Sequence, residues 1–373
     1  MTEILVLGAG YTGMTAALGL ARRTRGREVR VTLVNPSERF TERLRLHQVA
    51  AGEALARLDI PAMLEGTGVR FVLGRAASIA ADERRVVLED GTGLAYDRLV
   101  YALGSVADTT NVPGAAEHAH ILDGPRDAAR FAAAAGGTVL VAGSGLTGVE
   151  AAAEIAERNA GVRVVLAGRD EPGAMMGDRA RAHLRAALDR LGVTVRSGVT
   201  IEKVLPGAVE LAGGELLSAD AVLWTTGVRV APLARDAGLT VDDRGRVVVD
   251  RYLRSVSHPE ICAVGDAAAV TVEHGVLHGT CQSGIPTAAH AARAIAAELR
   301  GRTPRPFRFG YMHQPVSLGR RDAVIQFTRR DDTPGRFLLT GRSAVAYKEF
   351  VSSSPWKTYG MIKKSAGVVL WRH

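Results

Sequence analysis

The sequence predicts an α/β fold in which two similar doubly wound domains precede a small α+β domain at the C-terminus. The phrase ILVLGAGYTGMTAALGL, starting at Ile4, returns as VLVAGSGLTGVEAAAEI, starting at Val139. Each copy reads as a strand, a glycine turn and a helix, and a second apolar strand follows. Both halves then contain a further apolar strand that ends in small residues and glycine, YDRLVYALGS and SADAVLWTTGV. A repeat of this size indicates two domains of one kind.

Composition places the chain among soluble, folded proteins. Hydrophobic residues make up 47% of its 373 residues and charged residues 23%, which is typical of globular domains. No apolar run approaches the roughly 18 to 20 residues that span a bilayer. The N-terminus enters a strand at once, without the pattern of a signal peptide. We therefore expect a cytoplasmic protein.

Charge and cysteine spacing argue against two other classes. The formal net charge is +8, but the arginines are spread along the chain without interleaved aromatic residues, so we expect no nucleic-acid partner. Cys262 and Cys281 have neither metal-ligand spacing nor a neighbouring His/Cys cluster. We therefore expect no metal site and no disulfide framework.

The first repeat predicts a dinucleotide site. Its glycines allow a tight turn, close approach of the backbone to a pyrophosphate, and close packing of helix on strand. The pyrophosphate would lie at the positive end of the helix. The second strand ends at Asn35, where an acid that binds ribose is typical, and an amide oxygen can still accept from a ribose hydroxyl. The candidate residues are Gly8, Gly10, Tyr11, Thr12, Gly13 and Asn35.

The second repeat predicts another nucleotide site, formed by Gly143, Gly145 and Gly148. Here Gly168 takes the position of Asn35, and Arg169 follows it. Without an acid to repel a phosphate, and with an arginine beside the site, a ribose 2′-phosphate could be accommodated. The pattern favours NADPH over NADH. An exposed Arg169 that contacts no ligand is the alternative interpretation.

These repeats, together with the sequence ICAVGDAA, resemble the pyridine-nucleotide disulfide oxidoreductase superfamily, whose members have two Rossmann-like domains, one for FAD and one for NAD(P). The resemblance covers nearly the whole chain. It implies an FAD domain at residues 1–107 and 247–304, an NAD(P) domain at 108–246 and a C-terminal domain at 305–373. It also implies that Gly265 and Asp266 hold the ribityl chain of FAD.

The chain lacks the redox-active cysteine pair of the disulfide reductases in this superfamily, so electrons would leave directly from the flavin. The sequences GLTGVEAAAEI, NVPGAAEHA, VSLGRRDAVIQF and SSSPWKT are similar to type II NADH dehydrogenases and to the ferroptosis-suppressor branch of the apoptosis-inducing-factor-like proteins. Both are NAD(P)H:quinone reductases. The resemblance therefore implies hydride transfer from NADPH or NADH to FAD, and then reduction of a quinone or another small-molecule acceptor.

The resemblance suggests catalytic roles for two residues. Glu150, in the first turn after the second glycine loop, would lie near the nicotinamide and the flavin, although a carboxylate there can simply complement the helix dipole. Glu154, one turn later, has the pattern of an ordinary helix residue. Gln282 matches a glutamine close to the flavin ring. The remaining cofactor-binding candidates are Arg45, with Arg43 as its alternative, Ala76, Gly104 and Gly227.

A helix is expected from about Pro286 to Gly301, with turn-forming residues before it. In the family the start of this helix faces the flavin, where its dipole can stabilise the negative charge of the reduced ring. The same helix start would lower the pKa of Cys281 and could make it reactive. As a lone thiol, however, Cys281 is better interpreted as a residue of the site wall than as a redox centre.

The C-terminal domain is expected to contain two strands, RFLLTG and SAVAYKEFV, before a basic tail. If the tail is helical, Tyr359, Ile362, Ala366 and Val369 share an apolar face, with two lysines opposite, as in an interfacial membrane anchor. A packed C-terminus is the alternative. In the family this domain carries dimer or membrane contacts, which implies a homodimer and peripheral contact with the cytoplasmic face of a membrane.

Three other functions stay open at this point. One is a ferredoxin or rubredoxin reductase, which would need a surface for a partner protein. Another is a flavin-dependent tailoring oxidoreductase that acts on a small metabolite. The third is a flavoprotein that senses nucleotides and turns over slowly.

Overall fold

A computed structural model describes residues 1–365, 369 and 371. Within these residues, two five-stranded sheets are parallel throughout and three three-stranded sheets are antiparallel. Helices pack on the parallel sheets. The α/β fold class with two Rossmann-like units is therefore confirmed.

The elements of residues 1–107 follow in chain order: β1 (Thr2–Leu7), α1 (Tyr11–Arg23), β2 (Val29–Asn35), a 3₁₀ turn (Arg43–Arg45), α2 (Leu46–Ala50), α3 (Ile60–Leu64), β3 (Val69–Leu73), β4 (Ala76–Ala80), β5 (Arg85–Leu88), β6 (Gly93–Ala95), β7 (Arg98–Tyr101) and β8 (Val106–Ala107). Those of residues 108–246 are α4 (Ala115–His118), β9 (Ala119–Ile121), α5 (Pro125–Ala134), β10 (Thr138–Ala142), α6 (Leu146–Arg158), β11 (Arg163–Ala167), α7 (Asp178–Arg190), β12 (Thr194–Arg196), β13 (Ile201–Leu205), β14 (Ala208–Leu211), β15 (Leu216–Ser218), β16 (Ala221–Trp224), β17 (Val228–Arg229) and α8 (Leu233–Asp236). Later elements are β18 (Val247–Val248), β19 (Ile261–Ala263), a 3₁₀ turn (Gly265–Ala267), β20 (Ala268–Ala269), β21 (Thr271–Val272), β22 (Gly275–Val276), α9 (Cys281–Glu298), β23 (His313–Ser317), β24 (Ala323–Thr328), β25 (Pro334–Thr340) and α10 (Gly341–Ile362).

The two parallel sheets share one arrangement. The first has the strand order β19-β7-β1-β2-β3, and the second has β12-β11-β10-β16-β9. Each central strand, β1 or β10, lies between the next strand of its repeat and the returning strand, β7 or β16. These strands are apolar because helices or other strands cover both faces of a parallel sheet. The glycine loops consequently lie at the carboxyl end of each central strand.

The edge of the first sheet comes from a distant part of the chain. Strand β19 pairs with β7, so the chain returns to the first sheet after it has formed the second. Helix α9 then packs on α1 at close range, because a Cβ added to Gly19 would lie 3.2 Å from Cβ of Ala292. The start of α9 is thereby brought beside the first glycine loop.

The C-terminal segment differs from the prediction at SAVAYKEFV, which is helical within α10 rather than a strand. The buried residues of α10 are Ala344, Lys348, Ser352, Pro355, Tyr359 and Ile362. They recur every three or four residues, which is the helical period and not the alternation of a strand. The strand expected at RFLLTG is confirmed as part of β25.

The predicted anchor face at the C-terminus is not available to a membrane. Tyr359 and Ile362 are 1% and 3% exposed, and both pack into the core of the first parallel sheet. Helix α10 ends at Ile362, so Val369 is not part of it, and Ala366 lies outside the described residues. The packed alternative therefore holds for this face. None of the described helices is both long and apolar enough to cross a membrane.

Three buried histidines should make the fold sensitive to acid. Burial lowers the pKa of His47, His290 and His313 to about 4, from 6.5. Between these values the unfolded chain binds protons that the folded chain does not, so the free energy of unfolding falls as the pH falls from about 6.5 to 4. The His290→Leu variant removes one of these groups, a ring that packs on Phe307. Between pH 6.5 and 4 we expect its free energy of unfolding, measured in urea, to fall less than that of the wild type. An equal loss in both proteins would contradict this.

Candidate active site

The first glycine loop has the geometry of an anion cradle. A Cβ on Gly13 would overlap the carbonyl oxygen of Gly8, so this position requires glycine. At Gly10, by contrast, a Cβ would meet no protein atom within 4 Å. Gly10 is the N-cap residue of α1, and no side-chain hydrogen bond caps this end of the helix. The first N–H groups of a helix lack partners within the helix, and they face an open space here. The loop therefore fits a pyrophosphate.

Asn35 and Thr12 stabilise the surroundings of this loop. Oδ1 of Asn35 accepts a hydrogen bond from the backbone N–H of Ala9 at 2.9 Å, and its amide donates to the carbonyl of Ser37 at 2.7 Å. The amide oxygen of Asn35, for which the sequence predicts a hydrogen bond from a ribose hydroxyl, therefore accepts a hydrogen bond from the backbone of the loop. Thr12 lies against Gly265, where an added Cβ would be 2.7 Å from Cγ2 of Thr12.

The second glycine loop repeats this geometry. A Cβ on Gly148 would overlap the carbonyl oxygen of Gly143, whereas one on Gly145 would meet no atom within 4 Å. Gly145 caps α6 without a side-chain hydrogen bond. Gly168 packs on Ser144, since an added Cβ would lie 2.5 Å from Oγ of Ser144. The exposed Arg169 follows directly, so it stands at the edge of this loop.

The aspartate of the G-D pair lies beside the first loop. Oγ of Ser105 donates a hydrogen bond to Oδ2 of Asp266 at 2.7 Å. The backbone N–H of Gly265 donates to Oγ1 of Thr287 in α9 at 3.0 Å. Gly104, at a φ of +65°, turns the chain just before Ser105. The structure therefore brings the first loop beside the G-D pair and the start of α9, both of which lie far from that loop in the sequence.

Helix α9 begins five residues earlier than expected, at Cys281, and Pro286 lies inside it. The reason is a capping box, in which Thr280 accepts from the N–H of Ser283 and Ser283 reaches back to the N–H of Thr280. Gln282 then binds the chain before and within β23: its Oε1 accepts from the N–H of Met312 at 2.7 Å, and its amide donates to the carbonyl of His313 at 2.9 Å.

The expectation of a lowered pKa at Cys281 is wrong. Burial raises the pKa of this thiol to about 11, and the carboxylate of Asp266 adds to the effect, although the Lys348 ammonium opposes it. Desolvation of the thiolate outweighs the dipole of the helix start. Both cysteines are free thiols. Cys281 is therefore a wall residue at neutral pH.

The other cofactor-binding candidates, Arg45, Ala76 and Gly227, lie on separate parts of the chain. Arg45 is paired with Glu349 and with Glu42, so its charge already has partners. Its neighbour Arg43 instead donates to the carbonyl of Ser105 at 3.1 Å, next to Asp266. Ala76 begins β4, and Gly227, at a φ of +74°, lies between the returning strand β16 and β17.

A buried ion pair joins the second repeat to the C-terminal helix. Nζ of Lys348 in α10 lies 2.7 Å from Oε1 of Glu150 in α6, and both residues are 8% exposed. The N–H of Ser317 donates to the same oxygen at 3.0 Å, and Lys348 also donates to the carbonyl of Pro315 at 3.3 Å. Burial opposes ionisation of Glu150, but Lys348, His47 and these hydrogen bonds together lower its pKa.

Lys348 is the functional candidate that sequence reasoning missed. A signal was present, because the apolar or small residues Ala344, Ser352 and Pro355 surround this lysine at helical spacing. His47 completes the cluster, with Nε2 3.3 Å from Oγ of Ser317. Burial lowers its pKa to about 4 despite the nearby Glu150, so His47 is neutral near pH 7.

The described residues contain no cluster of three or more His, Cys, Asp or Glu side chains that could hold a metal ion. The features described above are two anion cradles, at the two glycine loops, and one buried ion pair. The two open glycines and uncapped helix starts fit FAD and a nicotinamide nucleotide, one at each repeat.

Comparisons with known proteins agree with this arrangement. An NADH dehydrogenase-like protein of Mycobacterium tuberculosis is 33% identical over 349 residues, which cover 87% of each chain. A type II NADH:quinone oxidoreductase of Staphylococcus epidermidis is 28% identical over 393 residues, 94% of each chain. The structure of NDH2 from Plasmodium falciparum in complex with NADH superposes with a TM-score of 0.82 at 14% identity, and the match covers 99% of both chains.

A family model described as pyridine nucleotide-disulphide oxidoreductase matches residues 2–296. This match includes both glycine loops, the ion-pair partner Glu150 and nearly all of α9. Since it covers most of the chain, and since a relative is 33% identical over 87% of it, the chain belongs to the pyridine nucleotide-disulphide oxidoreductase family.

Proposed function

We propose that this protein is an FAD-dependent NAD(P)H:quinone oxidoreductase. The observation that carries the proposal is the buried Glu150–Lys348 pair, which lies where the second repeat meets the C-terminal helix. The relative from Staphylococcus epidermidis is named a type II NADH:quinone oxidoreductase, which supports the same acceptor. Since both cysteines are free and burial raises the pKa of both thiols to about 11 or 12, a dithiol relay is not part of the proposal.

The two repeats divide the cofactors between them. We propose that residues 1–107 and 247–304 hold FAD, since β19 completes the first sheet and Asp266 lies beside the first loop. Residues 108–246 would hold NAD(P)H at the loop that contains Gly145, and residues 305–373 supply α10. Bound FAD supplies the chemistry of accepting a hydride and passing electrons on.

The side chains around the ion pair would position and protonate the acceptor. The Lys348 ammonium can donate a hydrogen bond or a proton to an acceptor oxygen as negative charge develops there. Glu150 holds that ammonium in place, since its Oε1 lies 2.7 Å from Nζ of Lys348. Gln282 contributes by fixing β23 against α9, which in turn places Ser317 beside Glu150.

Anaerobic stopped-flow spectroscopy tests the function directly. The purified protein should be yellow, lose its flavin colour on mixing with NAD(P)H, and recover it on mixing with a soluble quinone. Recovery with a small redox protein but not with quinone would instead establish a ferredoxin-type reductase. Absence of bound flavin would overturn the assignment of the first repeat.

Arg169 is proposed to favour NADPH. It is exposed at the edge of the second loop and has no ion-pair partner within the described part of the chain. An arginine can accommodate the ribose 2′-phosphate that distinguishes NADPH from NADH. We expect Arg169→Gln to raise KM for NADPH roughly tenfold, the cost of one lost charge-assisted contact, and to leave KM for NADH unchanged. Equal effects on both nucleotides would contradict the assignment.

A peripheral membrane contact is proposed for the outer face of α10, opposite to the face first predicted. Phe350 and Met361 are 68% and 48% exposed, and they share one helical face with Lys357. Apolar residues beside a cation are typical of helices that lie at a lipid surface. We expect the protein to sediment with vesicles of anionic phospholipid, and Phe350→Glu with Met361→Glu to abolish this. Sedimentation that is unchanged by the pair of substitutions would place the contact elsewhere.

A homodimer is also proposed, by resemblance alone. Analytical ultracentrifugation decides it, since a monomer at micromolar concentration would exclude it.

A further inference from the structure

Helix α6 carries a second buried carboxylate that the proposed mechanism has not used. Glu154 is 0% exposed, and neither of its carboxylate oxygens has a hydrogen-bond partner among the residues that the structure describes. Burial of an ionised carboxylate without hydrogen bonds is costly, and native structures rarely tolerate it. The nearest opposite charge is Nε of Arg320, at 3.9 Å from Oε1. Such a group requires an explanation beyond stability.

Glu154 lies in the middle of a row of carboxylates that runs from the buried site to the surface. Glu150, Glu154 and Glu157 are spaced by four and three residues, so they lie on one face of α6. Glu150 accepts from Ser317 at the end of β23. At the other end, Oε2 of Glu157 accepts from the N–H of Arg320 at 2.6 Å. The row thus follows the seam between α6 and the chain around β23.

The outer end of the row is accessible to solvent. Arg320 is exposed, and Glu157 is partly exposed. Glu53, which follows α2, pairs with the exposed Arg158 at 3.3 Å. Neighbouring carboxyl groups on a helix face have Cβ atoms about 5 to 6 Å apart, so small side-chain rotations bring them close together. Such a rotation of Glu154 breaks no hydrogen bond of its carboxylate among the described residues.

Quinone reduction requires a proton from water. A quinone takes up two electrons and two protons to become a quinol, whereas the hydride of NAD(P)H brings two electrons and one proton. The balanced reaction is NAD(P)H plus H⁺ plus quinone, giving NAD(P)⁺ plus quinol. If Lys348 gives the second proton to the acceptor oxygen, the buried pair must be reprotonated in every turnover.

We propose that Glu154 is a proton-relay residue, which carries this proton from solvent at Glu157 and Glu53 to the Glu150–Lys348 pair. The inference rests on the proposed function, because only a proton-consuming acceptor creates the need. Glu154 does not touch the substrate and acts through Glu150. In each turnover an O–H bond of Glu154 breaks as Glu150 gains the proton, and water at the surface restores it.

The charges around Glu154 suit this role. Burial raises its pKa to about 7, Arg320 and Arg158 oppose the increase, and Glu157 and Glu53 add to it. A group that titrates near the working pH can both take up and release a proton efficiently. Its neighbour Glu150 has a lowered pKa, so the proton passes on to the lysine rather than staying on that carboxylate.

The test uses Glu154→Gln in the flavin-loaded protein. We expect reoxidation of the reduced flavin by quinone at pH 7.5 to slow by about tenfold to hundredfold, the usual contribution of a proton-transfer group, and the pH profile to lose its inflection near 7. Flavin reduction by NAD(P)H should be unchanged. Reoxidation by ferricyanide, which takes electrons without protons, should also be unchanged. Glu154→Asp, which keeps a carboxyl group, should recover part of the quinone rate.

Two further measurements exclude a purely structural role. Infrared difference spectra should show the carbonyl band of a protonated carboxyl group that titrates near pH 7 in wild type and is missing in Glu154→Gln. Glu298→Gln is the matched control, since this partly buried carboxylate in α9 pairs with Arg98 and Arg254 outside the row; it should leave all rates and the band unchanged.

The outcomes separate the two claims. If quinone does not reoxidise the flavin of the wild-type protein, the proposed function is overturned before any variant is compared. If wild type reduces quinone and Glu154→Gln does so at the same rate and with the same pH profile, the relay is overturned. Equal slowing with quinone and ferricyanide would also overturn it, because the variant would then have damaged the site and not the proton path.

Discussion

A Lys348→Met variant is expected to lose about 3 to 5 kcal/mol of its free energy of unfolding near neutral pH, the usual cost of removing one partner from a buried ion pair. The methionine fills much of the volume of the lysine stem, so the loss is one of charge. Glu150 would then lie buried beside Ser317 without its ammonium partner. In the wild type, Lys348 helps to lower the pKa of Glu150. In the variant, the pKa of Glu150 should rise above its value in the unfolded chain, because the ammonium no longer opposes the effect of burial.

The sign of the pH dependence follows from this change. A carboxylic acid whose folded pKa is raised contributes stability at low pH and loses it as the pH rises, because the unfolded chain releases its proton more easily. The stability difference between Lys348→Met and wild type should therefore grow from pH 5 to pH 8 in urea unfolding. A constant difference would show that Glu150 keeps a lowered pKa without the lysine.

The double variant Glu150→Gln with Lys348→Met is the matched control. It removes both charges and keeps similar volumes, and buried pairs replaced in this way often cost little stability. We expect most of the lost stability to return, together with a flat difference between pH 5 and pH 8. Quinone reduction should not return, since the double variant restores packing but no proton donor. Recovery of both properties would show that the pair is structural only.

Local backbone rules explain why the two nucleotide loops could be predicted from the sequence. Gly13 and Gly148 must be glycine because each meets a carbonyl oxygen within its own loop, and that requirement is visible in a short stretch of sequence. The strands beside the loops were predictable for a similar reason, since burial on both faces gives continuous apolar runs.

The ion pair could not be predicted in the same way. Glu150 and Lys348 are almost 200 positions apart in the sequence, and only the packing of α10 against β23 and β24 brings them together. The SAVAYKEFV segment also contains enough β-branched and aromatic residues to suggest a strand. Its helical period becomes clear only when the buried face is known. The error at Cys281 has a similar origin, because the desolvation that raises the pKa of this thiol depends on the folded chain and is not visible in the local sequence.

The open space beside Gly10 and Gly145 makes it possible to test which cofactor binds at which loop. The test adds a single methyl group at each position. At Gly10 and Gly145 the φ angles, −72° and −65°, suit any residue, and an added Cβ meets no protein atom within 4 Å. Alanine at either position should therefore leave the protein folded. A bound pyrophosphate must approach these backbones closely, so the methyl group would obstruct the ligand and not the chain.

Gly10→Ala is accordingly expected to weaken FAD binding by roughly hundredfold, about 2.7 kcal/mol, so that the purified protein is largely colourless. Gly145→Ala should keep its flavin, and its Kd for NAD(P)H should rise by a similar factor in stopped-flow reduction. Gly136→Ala, at another open glycine outside both loops, should change neither. Thermal unfolding of the flavin-free proteins checks that all three variants fold alike. If Gly145→Ala lost the flavin while Gly10→Ala kept it, the two repeats would have exchanged cofactors; if each variant affected both ligands, the loops would not act as separate sites.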